Sequence, residues 1–429
     1  MTRCASLALV LACSIGLVAD ARAQAKLVAR AVLPADTFAP GPTSGRKLPP
    51  LVNGRATPFV NKQPVQGFSG LLDEGDGTFT VLVDNGFGSV DNSPDARLRL
   101  YRVRPHFETK AGGDGHIEVL STIVLRDPDR KVPFALTEEG TPERPLTGAD
   151  FDPESVQRGR DGTLWIGDEL GPFLLHVAAD GRLLEPPYAL PDGRGGELRA
   201  PQNPSYDPAR AQAVREGVAR CPTSGGFEAL AIDLVQNRLY ALLERPLHAE
   251  EPARTLRIFE FDIPTRRYTG RQLRYALDPR GTSVTDFVLY GDGRGLVIER
   301  DESEGSLEGF KAIYDVRLPA GDGSLEKRLL VDLLAIQNDA RLGGDGSPGD
   351  VGLGARFAMP FVTIESVAVL SPSHLAIVND NNYPKSIGRH VGTRQPDDSE
   401  LVIVRLAEPL RRVRVRTTAH GAWTYYPLR

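Results

Sequence analysis

The chain has 429 residues, with 51 basic and 56 acidic side chains and a formal net charge of −5. A net negative charge argues against nonspecific binding of nucleic acid, which depends on excess positive charge. Hydrophobic residues make up 41% of the chain and charged residues 25%, as is usual for a globular protein. The 44 glycines and 34 prolines predict many turns between short strands, and an all-β chain of this length can form one domain.

Residues 1–23 have the form of a secretory signal peptide. Arg3 supplies the positive start, an apolar run too short to span a bilayer follows, and Ala21-Arg22-Ala23 has the small residues of a cleavage site. A lipoprotein that uses Cys13 is the alternative. No later segment is apolar enough to span a membrane, so we expect a periplasmic or secreted protein. Removal of the signal leaves Cys221 without a partner for an internal disulfide.

From residue 66 onward, short apolar strands alternate with turns, and five segments share one pattern. Each segment has a strand that opens near a carboxylate or Ser, a turn, and a second strand that closes on a carboxylate. The opening positions are expected at Ser69, Glu154, Glu228, Asp286 and Glu365. Because the two strands of a hairpin run antiparallel, the start of the first lies beside the end of the second. Five such units would place their acidic residues on one rim.

Units of this kind predict an all-β fold, namely a β-propeller of four-stranded antiparallel blades. The clearest four-strand pattern covers residues 229–275, and residues 287–333 repeat it. We expect a single domain over residues 24–429 with six blades, the sixth built from residues 401–406, 411–426 and 27–33; five or seven blades are alternatives. Two insertions interrupt the repeat of strands and turns. One contains a short predicted helix at 208–220, and the other is a long loop at 337–360.

Crowded carboxylates on one rim must protonate, pair with bases or bind cations. Ca²⁺ is the expected cation, because it prefers oxygen ligands and tolerates irregular geometry. The predicted ligands are Glu154, Asp168, Glu228, Glu244, Glu299, Glu365, Asp380 and Asn381, with Glu169 and Asn85 as further candidates. The alternative is that these residues are solvated strand ends or pair with neighbouring arginines.

Basic residues that follow these acids predict a site for an anionic substrate, since a phosphate ester needs Arg or Lys beside the metal. The candidates are Arg245, Arg300, Lys385 and Arg389, for which intramolecular pairing is the alternative. No nucleophile elbow and no zinc-ligand spacing occurs in the sequence. A hydrolase of this sequence would therefore use metal-activated water. The candidate general bases are Asp168, Glu169 and Glu365.

Taken in order, several motifs resemble the phytase-like β-propeller family, described as having esterase-like activity of phytase. The markers include Gly67-Phe68-Ser69-Gly70-Leu71, Asp152-Pro153-Glu154-Ser155, Trp165-Ile166-Gly167-Asp168-Glu169, Pro201-Gln202-Asn203-Pro204, Gly226-Phe227-Glu228-Ala229-Leu230, Leu243-Glu244-Arg245, Ile298-Glu299-Arg300-Asp301, Ile364-Glu365-Ser366 and Asn379-Asp380-Asn381-Asn382. The resemblance covers nearly the whole chain after residue 23. It implies a secreted bacterial propeller with a phosphoesterase or esterase role.

The function that the sequence favours is a Ca²⁺-dependent phosphoesterase that acts as a monomer on a small phosphorylated molecule. A lactonase-like or carboxylic esterase propeller with one central Ca²⁺ is the first alternative. A non-catalytic binding propeller stabilised by rim ions is the second. These three hypotheses share the acidic rim and differ in the substrate.

Overall fold

The computed structural model describes residues 24–206, 218–249, 252, 254–416 and 423–425. The signal peptide predicted at 1–23 and most of the helix predicted at 208–220 lie outside these residues. The regular elements of the described residues are β-strands, as the sequence predicts, and no helix among them is long and apolar enough to cross a membrane.

In chain order the strands are β1 Lys26–Leu33, β2 Phe38–Pro40, β3 Leu51–Val52, β4 Arg55–Ala56, β5 Lys62–Pro64, β6 Phe68–Asp73, β7 Phe79–Val83, β8 Arg99–His106, β9 Glu108–Thr109, β10 His116–Val124, β11 Pro153–Arg158, β12 Leu164–Asp168, β13 Phe173–Val177, β14 Tyr188–Ala189, β15 Phe227–Asp233, β16 Arg238–Leu243, β17 Thr255–Asp262, β18 Arg267–Ala276, β19 Ser283–Gly291, β20 Arg294–Arg300, β21 Lys311–Arg317, β22 Gly323–Ser324, β23 Glu326–Asp332, β24 Ile336–Gln337, β25 Arg356–Phe357, β26 Ser366–Ser371, β27 His374–Val378, β28 Ser399–Arg405, β29 Arg414–Arg416 and β30 Trp423–Tyr425.

Most of these strands belong to antiparallel runs of four, which we number as units in chain order. Unit 1 is β6-β7-β8-β10, unit 2 is β11-β12-β13-β14, unit 3 is β15-β16-β17-β18, unit 4 is β19-β20-β21-β23 and unit 5 is β26-β27-β28-β1. The first strands β6, β11, β15, β19 and β26 contact one another in this order, and β26 contacts β6. The units therefore surround a common axis, and the architecture is all-β and propeller-like.

The N-terminal strand completes unit 5, because β1 pairs antiparallel with β28 from Lys26↔Arg405 to Leu33↔Ser399. Its other edge meets β10 of unit 1 through a short parallel contact. The two segments predicted to start a sixth blade, 27–33 and 401–406, thus supply the fourth and third strands of unit 5. The predicted association of these two terminal segments in one blade is confirmed, but the separate sixth blade is wrong: within the described residues they share a sheet with β26 and β27. Residues 414–416 and 423–425 form a two-stranded hairpin of their own.

Hydrophobic cores lie between neighbouring units. Val81 and Leu82 are successive residues of β7, yet Val81 packs in the core shared with unit 5 and Leu82 in the core shared with unit 2. Side chains of a strand alternate between its two faces, so a strand covered on both sides reads as a continuous apolar run. Trp165 and Phe227 pack in the core between units 2 and 3, which places both aromatic rings in structural positions.

Candidate metal centre

In units 1 to 4, the pairing of the first and second strands shifts by one residue near the start of the first strand. Such β-bulges re-aim a side chain and are common beside functional sites. In unit 5 the corresponding residue precedes β26, and its amide donates to the Val378 carbonyl over 3.0 Å. We call these the bulge positions. From unit 1 to unit 5 they are Ser69, Glu154, Glu228, Thr285 and Glu365.

A second set of equivalent residues follows at the end of each second strand. In units 1 to 3 the amide of this residue donates to the carbonyl at the start of the hairpin, over 3.0–3.1 Å. Counting along the matched strand pairs gives the same position in units 4 and 5. We call these the strand-end positions. From unit 1 to unit 5 they are Asp84, Glu169, Glu244, Arg300 and Asp380.

The expectation that unit 4 presents Asp286 at the bulge position is wrong by one residue, since the register places Thr285 there. The Asp286 carboxylate instead accepts a hydrogen bond from the Val367 amide at 2.7 Å and one from the Ser366 hydroxyl at 3.1 Å. It therefore ties unit 4 to unit 5.

The two sets of positions bring acidic side chains from separate units together. Oxygens of Glu154, Glu228 and Glu365, which come from units 2, 3 and 5, lie within 4.8 Å of one another. Glu169 joins Glu228 and Glu244 in a second group of this kind, and Asp152 joins Glu154 and Glu169 in a third. We call these residues the carboxylate cluster. Its members are Asp152, Glu154, Glu169, Glu228, Glu244 and Glu365.

Burial and mutual repulsion make the ionised cluster costly. Burial raises the pKa values of Glu154, Glu169 and Glu228 well above the usual range, and neighbouring negative charges raise them further. Burial also raises the pKa of Glu365 to about 8, although Arg300 opposes that shift. Among the described residues, Glu169 Oε1 and Glu365 Oε2 are buried without a hydrogen-bond partner.

These properties fit a bound divalent cation. A buried oxygen without a partner carries an energetic penalty that a cation would remove, and a cation would also offset the repulsion between carboxylates. Carboxylate oxygens in an irregular arrangement suit Ca²⁺, because this ion accepts six to eight oxygen ligands with flexible geometry. The residues present therefore fit the metal that the acidic rim predicts.

Two arginine side chains contact Glu244, which belongs to the carboxylate cluster. Arg245 Nε donates to Glu244 Oε2 over 2.8 Å, and Arg300 Nη2 donates to Glu244 Oε1 over 3.4 Å. Arg300 also lies 2.9 Å from Glu302, and its side chain is only 6% exposed. Arg300 thus replaces, in unit 4, the carboxylate that the other units carry at the strand-end position.

Lys385 and Asp380 lie at the edge of this region. The Lys385 ammonium donates to the Phe87 carbonyl, and burial lowers its pKa although the charge of Asp84 opposes that shift. Burial raises the pKa of Asp380 well above its usual range, and repulsion from Asp84 adds to this. Both candidates therefore lie near Asp84, and Asp380 is also close enough to Glu365 of the cluster for its charge to act on it.

Asp168 and Glu299 point away from the cluster, although each is next in sequence to a strand-end residue. Asp168 accepts hydrogen bonds from the Asp152 amide at 2.7 Å and the Gly171 amide at 2.8 Å, which occupy both of its oxygens. Glu299 lies on the face of β20 opposite to Arg300 because side chains alternate along a strand. The structure gives both residues supporting contacts instead of a place among the clustered oxygens.

Asn381 and Arg389 also lie apart from the cluster. The Asn381 side chain donates to the Asp397 carbonyl over 3.0 Å, and its Oδ1 accepts from the Gly67 amide at 3.4 Å. Arg389 forms a bidentate pair with Glu400, at 2.8 and 3.0 Å, between the rings of Phe357 and Phe361. Arg389 is therefore a buried structural cation and does not face a substrate.

Two acidic residues of the region were missing from the predicted ligands. Asp84 occupies the same strand-end position as Glu169 and Glu244, so alignment of the hairpins could have found it. Asp152 stands two residues before the bulge, where units 1 and 3 carry Gly67 and Gly226, so the repeat predicts no acid there; Asn85 positions it by donating to Asp152 Oδ2 over 2.6 Å. No local sequence signal distinguishes Asp152 from a turn residue.

The fold and the cluster define an all-β, propeller-like protein with a buried acidic centre. The family model "Phytase-like: Esterase-like activity of phytase" matches residues 63–383, and the chain belongs to this family. An uncharacterized secreted protein of Arthroderma benhamiae is 25% identical over 236 residues, which are 44% of this chain. The matched region spans 46% of that relative, so less than two thirds of its length is represented.

Solved structures with similarity to this chain include the following three proteins. A luciferin-regenerating enzyme is 9% identical, with a TM-score of 0.37 over 81% of this chain and 94% of that one. The virginiamycin B lyase of Staphylococcus aureus is 10% identical, with a TM-score of 0.32 over 88% and 75%. A GH43 β-1,3-galactosidase is 8% identical, with a TM-score of 0.40 over 85% and 58%. At these scores the likenesses assign neither an activity nor a substrate.

Proposed function

We propose that this protein is a Ca²⁺-dependent hydrolase of small phosphate esters. The observation that carries the proposal is the set of overlapping groups of buried carboxylates, two of whose oxygens have no hydrogen-bond partner among the described residues. Membership of the phytase-like family, whose description refers to esterase-like activity, supports a hydrolytic role.

We further propose that the propeller has five blades, one for each unit. The ring of contacts between the five first strands supports this number, and so does the repeated pair of bulge and strand-end positions. A secreted relative supports an extracellular or periplasmic location. Action as a monomer on a small-molecule ester is part of the same proposal.

Glu154, Glu228 and Glu365 would hold the cation, since they come from three units and meet at the centre. Bound Ca²⁺ would neutralise negative charge and lower the pKa of a nearby water. Arg300 and Arg245 would bind oxygens of the phosphate, because guanidinium groups match oxyanions in geometry and charge.

A general base must reach the attacking water with a free oxygen. Glu169 Oε1 and Glu365 Oε2 are free of hydrogen bonds, whereas two backbone amides occupy the oxygens of Asp168. Glu169 and Glu365 are therefore better placed than Asp168 to act as the base, each through the oxygen that does not bind the cation.

The test is a screen of phosphate monoesters, lactones and carboxylic esters with residues 24–429, in Ca²⁺ and in excess chelator. We expect phosphate-ester turnover that requires Ca²⁺, is inhibited by inorganic phosphate and is lost in Arg300→Ala. Lactone or carboxylic-ester turnover that is indifferent to phosphate would replace this proposal with the lactonase-like alternative. Intact Ca²⁺ binding without turnover of any ester would instead support a binding propeller.

A further inference from the structure

Glu244 faces two competing sets of partners. Its carboxylate lies within 4.8 Å of ligand oxygens of Glu169 and Glu228, where a cation would be shared. The same carboxylate receives Arg245 on one oxygen, at 2.8 Å, and Arg300 on the other, at 3.4 Å. A cation bound by Glu244 would repel both arginines, so the two arrangements oppose each other.

The space between the two arginines is suited to an oxyanion. A carboxylate held on each oxygen by a guanidinium group occupies the position that a phosphate oxygen pair would take. Arg300 is nearly buried, and its Nε is without a hydrogen-bond partner among the described residues. Arg245 is 45% exposed, so one of the two guanidinium-bearing side chains reaches solvent. Glu244 therefore fills a potential anion position with a side chain of the protein itself.

We propose that Glu244 is a switch ligand, an inference that rests on the proposed function. Without a cation, Glu244 occupies the anion position between Arg245 and Arg300. A cation at Glu169, Glu228 and Glu244, the group that shares Glu228 with Glu154 and Glu365, draws the Glu244 carboxylate toward itself and frees both guanidinium groups for a phosphate oxyanion. Cation binding thereby opens the substrate position, and the protein binds phosphate esters only after it has bound the cation.

Electrostatics supports this order of binding. In the cation-free site a phosphate would have to displace the Glu244 carboxylate from Arg300, and it would meet the Glu302 carboxylate, which lies 2.9 Å from the same guanidinium group. Close like charges repel by several kcal/mol at the dielectric of a partly buried site, about 4 kcal/mol at about 4 Å. A bound cation would reverse the sign of this field. Since coupling between two sites is reciprocal, phosphate would raise Ca²⁺ affinity by the same factor.

The experiment measures binding rather than turnover, by isothermal titration calorimetry of residues 24–429. Inorganic phosphate is titrated in chelator and in saturating Ca²⁺, and Ca²⁺ is titrated with and without phosphate, below the concentration at which calcium phosphate precipitates. We expect phosphate affinity to rise about tenfold or more with Ca²⁺, within the usual range of coupling between sites, and Ca²⁺ affinity to rise equally with phosphate.

Two variants and a control separate the parts of the switch. Glu244→Gln should bind phosphate without Ca²⁺ and lose most of the coupling, because the competing charge is gone. Arg300→Met should bind Ca²⁺ at least as tightly as the wild type and show no gain in phosphate affinity. Arg102→Met, which removes an exposed pair with Asp76, should behave as the wild type. Far-UV circular dichroism checks that each variant is folded.

Equal phosphate affinity with and without Ca²⁺ in a protein that binds Ca²⁺ would overturn the switch and leave the proposed function standing. Unchanged coupling in folded Glu244→Gln would do the same. Failure of the wild type to bind Ca²⁺ would overturn the proposed function itself.

Discussion

Lys327 Nζ lies 2.7 Å from Glu299 Oε2 on the face of β20 that turns away from the carboxylate cluster. The fully buried Glu299 also accepts a hydrogen bond from the Tyr275 hydroxyl, at 2.7 Å. The neighbouring Arg300 takes the opposite face and reaches Glu244. One strand thus carries a structural ion pair on one side and a candidate substrate residue on the other.

Glu299→Gln should therefore lower the free energy of unfolding without changing Ca²⁺ affinity. The loss should be about 1–3 kcal/mol, because Lys327 and a buried hydrogen-bond network lose a charged acceptor. Since the Lys327 side chain is 20% exposed, water can solvate part of the freed charge. Urea denaturation measures the first quantity and calorimetric Ca²⁺ titration the second. A weaker Ca²⁺ affinity in this variant would place Glu299 in the metal centre after all.

Glu154→Gln combined with Glu365→Gln should weaken Ca²⁺ binding, unlike Glu299→Gln. Both residues belong to the central group of three carboxylates, so the double change removes two negative ligands. We expect Ca²⁺ affinity to fall by at least about tenfold, since ligand charge strongly tunes Ca²⁺ affinity. Glu299→Gln is the matched control, because it makes the same chemical change at a buried glutamate nearby. Equal affinity in the double variant and this control would show that the ligands are wrongly assigned.

The repeated hairpins were enough to predict an all-β fold and acids from distant segments at one rim. The side to which each acid points was not predictable, because a register change of one residue moves a side chain to the other face. Asp168 and Glu169 are adjacent acids, and only the bulge at Glu154 and the strand pairing decide that Glu169 faces the cluster. Glu299 was predicted as a ligand for the same reason, because the sequence did not show to which face of β20 its side chain points.

The sequence predicted that the two terminal segments share a blade, but it did not predict that this blade is the one begun by β26 and β27. β1 pairs with β28, and the two strands are separated by most of the chain. β1 alternates between buried and half-buried residues and β28 is a nearly continuous buried run, and both patterns are also compatible with a new sheet. Long-range pairing of this kind depends on which edges are left open by the other units, and no short segment encodes that.

Stability without metal should fall as pH rises. Burial raises the pKa of Glu365 to about 8 and that of Asp84 to about 7. These carboxyl groups keep a proton in the folded state at pH values where the same groups in the unfolded chain, whose pKa is about 4, have lost it. The folded state then binds more protons, so the free energy of unfolding decreases from about pH 4 to about pH 8.

Urea denaturation in excess chelator at several pH values between 5 and 8.5 checks this dependence. Other groups contribute to the slope, so the informative quantity is the difference between the wild type and Glu365→Gln. The variant lacks the titrating carboxyl group and should show a shallower fall. Identical slopes for the two proteins would contradict a protonated Glu365 in the metal-free protein.

Ca²⁺ should raise thermal stability through the same carboxylates. A ligand that binds only the folded state stabilises it by RT ln(1 + [L]/Kd), about 2.7 kcal/mol at about 100 times Kd. We expect the melting temperature to rise by several degrees in Ca²⁺ and to return to its original value in excess chelator, as followed by differential scanning calorimetry.

Mg²⁺ should give a smaller rise in melting temperature, because it requires near-octahedral geometry and gives up its bound water reluctantly. The double variant Glu154→Gln/Glu365→Gln should lose the Ca²⁺-dependent increment while Glu299→Gln retains it. If the melting temperature of the wild type responds neither to chelator nor to Ca²⁺, the buried carboxylates bind no ion. Protonation, and not a cation, would then relieve the repulsion between them.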